Sequence, residues 1–135
     1  MTQTQQDQDW MIAEVAWVPG VRHAVVLSAD GLLKARSEGT DQAVADRLAA
    51  ACAGLQSLGQ SVGREFGADG RAVRELMVGF DGGYLFARTA GEGSHLAVVT
   101  HAVVDPGLIA QQMQAQVNKI GQHNLSTPAR GIAKT

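Results

Sequence analysis

The sequence predicts an α+β domain: one five-stranded antiparallel sheet with a long helix and two shorter terminal helices, in the order α-β-β-α-β-β-β-α. Three observations carry this. The stretch from Asp41 to about Phe66 has apolar residues at helical spacing. β-branched runs on either side of it change to strand character. Asp30-Gly31, Asp81-Gly82-Gly83 and Gly91-Glu92-Gly93 separate those runs by too few residues for anything but antiparallel neighbours.

The first eight residues (MTQTQQDQ) are Gln-rich and are expected to be disordered. Asp9 is a candidate cap for a helix through Val18, with Trp10, Ile12, Ala13, Ala16 and Trp17 on its apolar face, and Pro19-Gly20 stops it. Residues 22–28 (RHAVVLS) suit a central strand, because β-branched side chains pack on a pleated surface. Asp30-Gly31 is a strong hairpin signal, since Gly tolerates the positive φ of a tight turn. Residues 32–36 return as the second strand, and Thr40 or Asp41 caps the long helix.

In that helix Val44, Leu48, Ala51, Leu55, Leu58 and Val62 fall on one stripe and are expected to face the core. A second face carries Ala43, Ala50, Gly54, Ser57 and Ser61, nearly all small. Gly54 costs an isolated helix about 1 kcal/mol relative to Ala, whereas small side chains let another backbone come close. Two readings stay open here: a second helix packs on this face, most simply from another copy of the chain, or it is the solvated side of an alanine-rich helix.

Gly67 suits the left-handed position that ends the helix. Three strands follow: Ala72 to Phe80, Tyr84 to Thr89, and His95 to His101. Asp105-Pro106 opens the last helix, with Asp as cap and Pro where a missing N–H costs nothing. Ile109, Met113, Val117 and Ile120 form its buried stripe, with Gln111, Gln112, Gln114 and Gln116 mostly off it. The domain is expected over 9–123, with 124–135 as a flexible tail.

Composition excludes several functions. The chain has 135 residues, a net charge of -2 and 4% aromatics, so it offers no basic footprint for nucleic acid and few stacking platforms for bases. One cysteine, Cys52, precludes an internal disulfide and fits a reducing compartment. The polar N-terminus lacks signal-peptide character, and no apolar run is long enough for a membrane span, so a cytoplasmic protein without membrane insertion is expected. His23, His95, His101 and His123 have no second ligand at metal spacing. The Gly-rich turns do not lead into helices as phosphate cradles do. Asp30, Asp69, Asp81, Glu92 and Asp105 fall at turns or caps. The expectation is a protein with no catalytic residue, no metal and no cofactor.

Several phrases then take on meaning in order. Residues 18–32 (VPGVRHAVVLSADGL) resemble the opening hairpin of roadblock/dynein-light-chain domains, in particular the small single-domain bacterial members. Gly54-Leu55-Gln56-Ser57-Leu58, Met77-Val78, Gly83-Tyr84-Leu85-Phe86 and Gly93-Ser94-His95-Leu96-Ala97-Val98 continue the likeness, which covers about residues 9–121. The resemblance implies homodimers in which the long helices lie side by side and the following strand, here Ala72–Phe80, pairs across the two-fold axis. Ala43, Ala50, Gly54, Ser57, Ser61, Val73, Glu75 and Met77 are the interface residues expected on that basis and on the small helix face. It also implies regulation of a small Ras-like GTPase, as activator, scaffold or adaptor, in bacterial complexes that include a sensor-kinase-like protein. In the best-known bacterial case the dimer promotes hydrolysis without supplying an arginine finger, so no catalytic residue is carried over. The alternative is a small-molecule-sensing or protein-interaction adaptor domain with no GTPase partner.

Overall fold

A computed structural model describes residues 9–68, 73–91 and 93–126. The expected disorder of 1–8, the turn residues Asp69, Gly70 and Glu92, the strand start at Ala72 and the tail from 127 onward lie outside the described residues. Helix α1 spans Ala13–Ala16 after a 3-10 turn at Asp9–Met11. Strands β1 (Val21–Ser28) and β2 (Leu33–Arg36) form the first hairpin. The long helix α2 is Gln42–Phe66. Strands β3 (Glu75–Phe80), β4 (Gly83–Thr89) and β5 (Ser94–His101) form a meander, and α3 (Pro106–Ser126) closes the fold.

All pairings are antiparallel, and the sheet order is β2-β1-β5-β4-β3. The two halves join through β1 and β5, the most buried strands, with Leu27, Leu96 and Val98 at 0% exposure. Successive strand residues point to opposite faces, so the sheet carries two cores. Ala24, Val26, Leu96 and Val98 meet α1 and α3 on one face. Val25, Leu27, Leu85, Ala87 and Ala97 meet α2 on the other.

The predicted architecture holds, with local corrections. The initial helix is shorter than predicted: Asp9 begins a 3-10 turn, and Ile12 precedes α1 without a side-chain cap. What fixes this segment is Gln116, which is fully buried rather than off the core stripe. Its Oε1 accepts from Glu14 N at 2.7 Å, and its Nε2 donates to Trp10 O at 2.9 Å. A buried amide is stable where donor and acceptor are both satisfied, and here both ends bridge to the N-terminal backbone. Gly67 ends α2 with φ -79 and ψ 161, an extended rather than left-handed position. Helix α3 continues to Ser126, past the boundary suggested at 123. Asp41 caps α2 by accepting from Val44 N at 2.9 Å, and Asp105 caps α3 by accepting from Leu108 N at 3.1 Å.

Candidate partner-binding surface

The main correction concerns α2. Its buried residues are Ala45, Ala49, Cys52, Gln56 and Gly59. The stripe predicted to face the core is turned about a quarter turn away: Ala51 is exposed, Leu58 is 70% exposed and Val62 59% exposed, while Val44, Leu48 and Leu55 are half-buried. The physical reason is distance. The small residues Ala45, Ala49 and Gly59 on the sheet-facing line bring the helix axis close to the sheet. At Gly59 a Cβ would stand 3.0 Å from Val73 Cγ2 and 3.4 Å from Leu76 Cδ2.

Two contacts orient the flanks of α2. On one side the turn of the first hairpin abuts it, where a Cβ on Gly31 (φ 89°) would be 3.3 Å from Ala53 Cβ. On the other side Gly59 rests on Val73, just before β3, and on Leu76, near the start of that strand. The displaced apolar stripe lies on this second flank, overhanging β3. It ends in Phe66, 80% exposed.

Strand β3 is the last in the sheet order and pairs only with β4 among the described residues. Leu76 and Val78 turn toward α2, while Met77 is 67% exposed on the opposite face. Glu75 is exposed and forms an ion pair with Arg88 at 3.1 Å. Val73 is half-buried beneath Gly59. An unpaired edge beside a helix flank carrying Leu58, Val62 and Phe66 is a contiguous apolar surface, the kind that marks an interaction site.

The small-residue face is also on the surface. Ala43, Ala50, Gly54, Ser57 and Ser61 are all exposed, on the side of α2 turned away from the sheet. A Cβ on Gly54 would meet nothing within 4 Å.

Candidates for chemistry are held in structural roles. Cys52 is fully buried, and burial raises its thiol pKa to about 11, which leaves it neutral and unreactive. His23 Nδ1 lies 2.7 Å from Thr40 Oγ1, whose hydroxyl is 2.7 Å from Ser37 Oγ, and Ser37 Oγ accepts from Ala24 N at 2.9 Å. This chain of hydroxyls ties the β2–α2 connection to β1. Burial, then the Arg22 charge, holds the His23 pKa below its ordinary value. His95 is lowered by burial alone. The His123 ring packs against Trp10 with centroids 4.4 Å apart and planes tilted by 43°. Among the described residues no group of three or more His, Cys, Asp or Glu side chains could hold a metal. No described helix is long and apolar enough to cross a membrane. An open groove of about 400 Å³ runs between β3–β4 and α3, lined by Met77, Phe86, Ile109 and Met113 and edged by the Glu75–Arg88 pair.

Comparison with known proteins supplies the context. A family model, the Roadblock/LC7 domain, matches residues 8–100. A crystal structure of a Roadblock/LC7 domain from Streptomyces avermitilis is 39% identical with a TM-score of 0.80, covering 87% of this chain and 98% of its own. The gliding protein MglB from Thermus thermophilus is 17% identical with a TM-score of 0.76, covering 90% and 91%, and shares the fold. A structure described as MglB with a tetrameric arrangement is 17% identical with a TM-score of 0.77, covering 90% of each chain. None of the curated proteins matches the sequence.

Proposed function

This chain belongs to the roadblock/LC7 family, and from that premise we propose that it is a homodimeric regulatory or scaffold subunit for a small Ras-like GTPase in a bacterial signalling complex. The observation that carries the reading is the uncovered apolar flank of α2 beside the unpaired β3 edge. Such a surface binds protein, and it stands in a molecule whose Cys52 is buried and whose His23 and His123 are engaged in local contacts. Self-association agrees with the tetrameric arrangement described for MglB, which has the same fold.

In this reading the dimer interface uses α2 and β3, with Val73 just before that strand and Glu75 and Met77 on it, and with Ala43, Ala50, Gly54, Ser57 and Ser61 as the small face of the same helix. The protein is a non-enzymatic, cytoplasmic partner. It takes no cofactor, binds no nucleic acid, and has a sensor-kinase-like protein as a further partner. Its action on the GTPase is positional: it holds the nucleotide site in one geometry and supplies no reacting group.

The test is GTP turnover by the GTPase encoded nearest in the same genome, measured with and without the purified dimer. A raised turnover identifies an activator. Unchanged turnover with stable complex formation identifies a scaffold. Unchanged turnover with no complex formed would contradict the proposal. The groove beside α3 favours a second reading, a sensor for a small apolar ligand, since its volume falls in the range of ligand sites. Thermal shifts in a metabolite screen, lost in Met77→Glu, would support that reading instead.

A further inference from the structure

The groove between β3–β4 and α3 changes character along its length. One part runs over Met77, Phe86, Ile109 and Met113. Glu75 and Arg88 line that part and also an adjoining pocket of about 180 Å³, which adds Arg74, Thr89, Gln114 and Val117. The walls turn polar in the same direction: β4 from Phe86 to Arg88 and Thr89, β3 from Met77 back toward Arg74, and α3 from Met113 to Gln114. A cleft that is apolar at one end and charged at the other selects ligands built the same way.

The charged end is in positive excess, with Arg74 and Arg88 against Glu75. Glu75 is taken by Arg88 at 3.1 Å. Arg88 Nη1 also donates to Gln114 Oε1 at 2.6 Å, and Gln114 Nε2 donates to Asn118 Oδ1 at 3.0 Å, so the Arg88 guanidinium is held in place before any ligand arrives. Arg74 is exposed and forms no ion pair among the described residues. The walls also limit what can lie between them. The backbone of β4 is engaged by β3 and β5, and that of α3 by its own helix. An extended peptide along the floor would leave amides without partners, which is costly, whereas a hydrocarbon chain has none to satisfy.

We propose that this cleft binds a single-chain anionic amphiphile, a fatty-acid-like carboxylate whose chain lies over Met77, Phe86 and Met113 and whose head group is held by Arg74 and Arg88. The proposal rests on the reading of the groove as a ligand site and is independent of the GTPase reading. A carboxylate there balances the excess charge, and guanidinium groups hold carboxylates through charge-assisted hydrogen bonds of matching geometry. Pairing at the β3 edge would use the strand backbone and leave the cleft open, because strand side chains stand roughly perpendicular to the sheet.

The experiment is calorimetric titration of the full chain with decanoate, 1-decanol and decyltrimethylammonium, each below the concentration at which it self-associates. Decanoate should bind at one molecule per chain and more tightly than the other two. Octanoate should bind about tenfold more weakly than decanoate, because two fewer methylene groups are buried. Arg74 and Ala110 are exposed, so variants there keep the fold. Arg74→Gln, or added salt, should weaken decanoate about fivefold and leave decanol unchanged. Ala110→Phe, which fills the groove that Ala110 lines, should weaken both. Decanol or decyltrimethylammonium binding as tightly as decanoate, with no response to Arg74→Gln, would overturn the anionic site while leaving an apolar one. No saturable binding by any of the three would overturn both. Binding to phosphatidylglycerol vesicles without binding of free decanoate would also overturn the proposal, since a lipid surface rather than a single chain would then be the ligand.

Discussion

Gly59 on α2 and Val73, two residues before β3, approach so closely that a methyl group on the glycine would stand 3.0 Å from Val73 Cγ2. That approach sets the height of the helix above the sheet, and the height decides which face of the helix is left for partners. Gly59→Leu should overpack this contact and cost about 1–3 kcal/mol. Gly54→Ala, with nothing within 4 Å, should instead stabilise by up to about 1 kcal/mol through helix propensity. Urea unfolding of the two variants checks the pair, and opposite signs are expected.

Gln56 stands on the sheet-facing line of α2 at 4% exposure, and among the described residues neither its Nε2 nor its Oε1 has a hydrogen-bond partner. A buried amide without partners is costly, so Gln56→Leu should raise stability by about 1–3 kcal/mol. Chemical denaturation measures this directly. A loss of stability would show that the amide is satisfied in solution.

The clamp from Gln116 to Trp10 and Glu14 joins segments about a hundred residues apart in the chain. Gln116→Ala strands one buried donor and one acceptor and opens a cavity, for an expected loss of about 2–4 kcal/mol. Hydrogen exchange should show the loss of protection concentrated in α1 and the middle of α3. The Lys119–Glu14 ion pair on the same helices is exposed, and Lys119→Ala should cost under about 1 kcal/mol.

Stability should fall in mild acid. His23 and His95 both have lowered pKa values in the folded chain, chiefly through burial. Below the ordinary value of 6.5 the unfolded chain therefore binds protons that the folded chain does not. The folded state loses ground as pH drops from 6.5 toward the lowered values, at a slope of at most about 1.4 kcal/mol per pH unit for each histidine. Above pH 7 these two groups contribute no pH dependence. Melting temperatures from pH 5 to 8 test this, and His95→Gln should flatten the acid limb.

The first hairpin turn and the N-terminal caps of α2 and α3 were legible in the sequence because their chemistry is local, while the caps expected at Asp9 and Gly67 were not borne out. Asp30-Gly31 needs only a residue that accepts positive φ, and Asp41 and Asp105 need only a carboxylate one turn before free N–H groups. The face of α2 was not legible for the opposite reason. Periodicity finds the largest apolar side chains, Leu55, Leu58 and Val62, but the sheet selects the smallest, Ala45, Ala49 and Gly59. In the proposed reading a stripe that is apolar and yet off the core is where a partner packs, and a single sequence does not separate such a stripe from a core-facing one. Gln116 reads from its spacing as mostly off the buried stripe, since a buried glutamine is recognisable only when the backbone groups it bridges are in place.

The most direct test of the central claim is a binding titration of the purified protein against the small GTPase encoded nearest in the same genome, loaded with GDP or with a non-hydrolysable GTP analogue. Saturable binding by a dimer is expected, with tighter binding to one nucleotide state for a regulator and equal binding to both for a scaffold, because equal affinity shifts neither state. Absence of binding in both nucleotide states would contradict the claim.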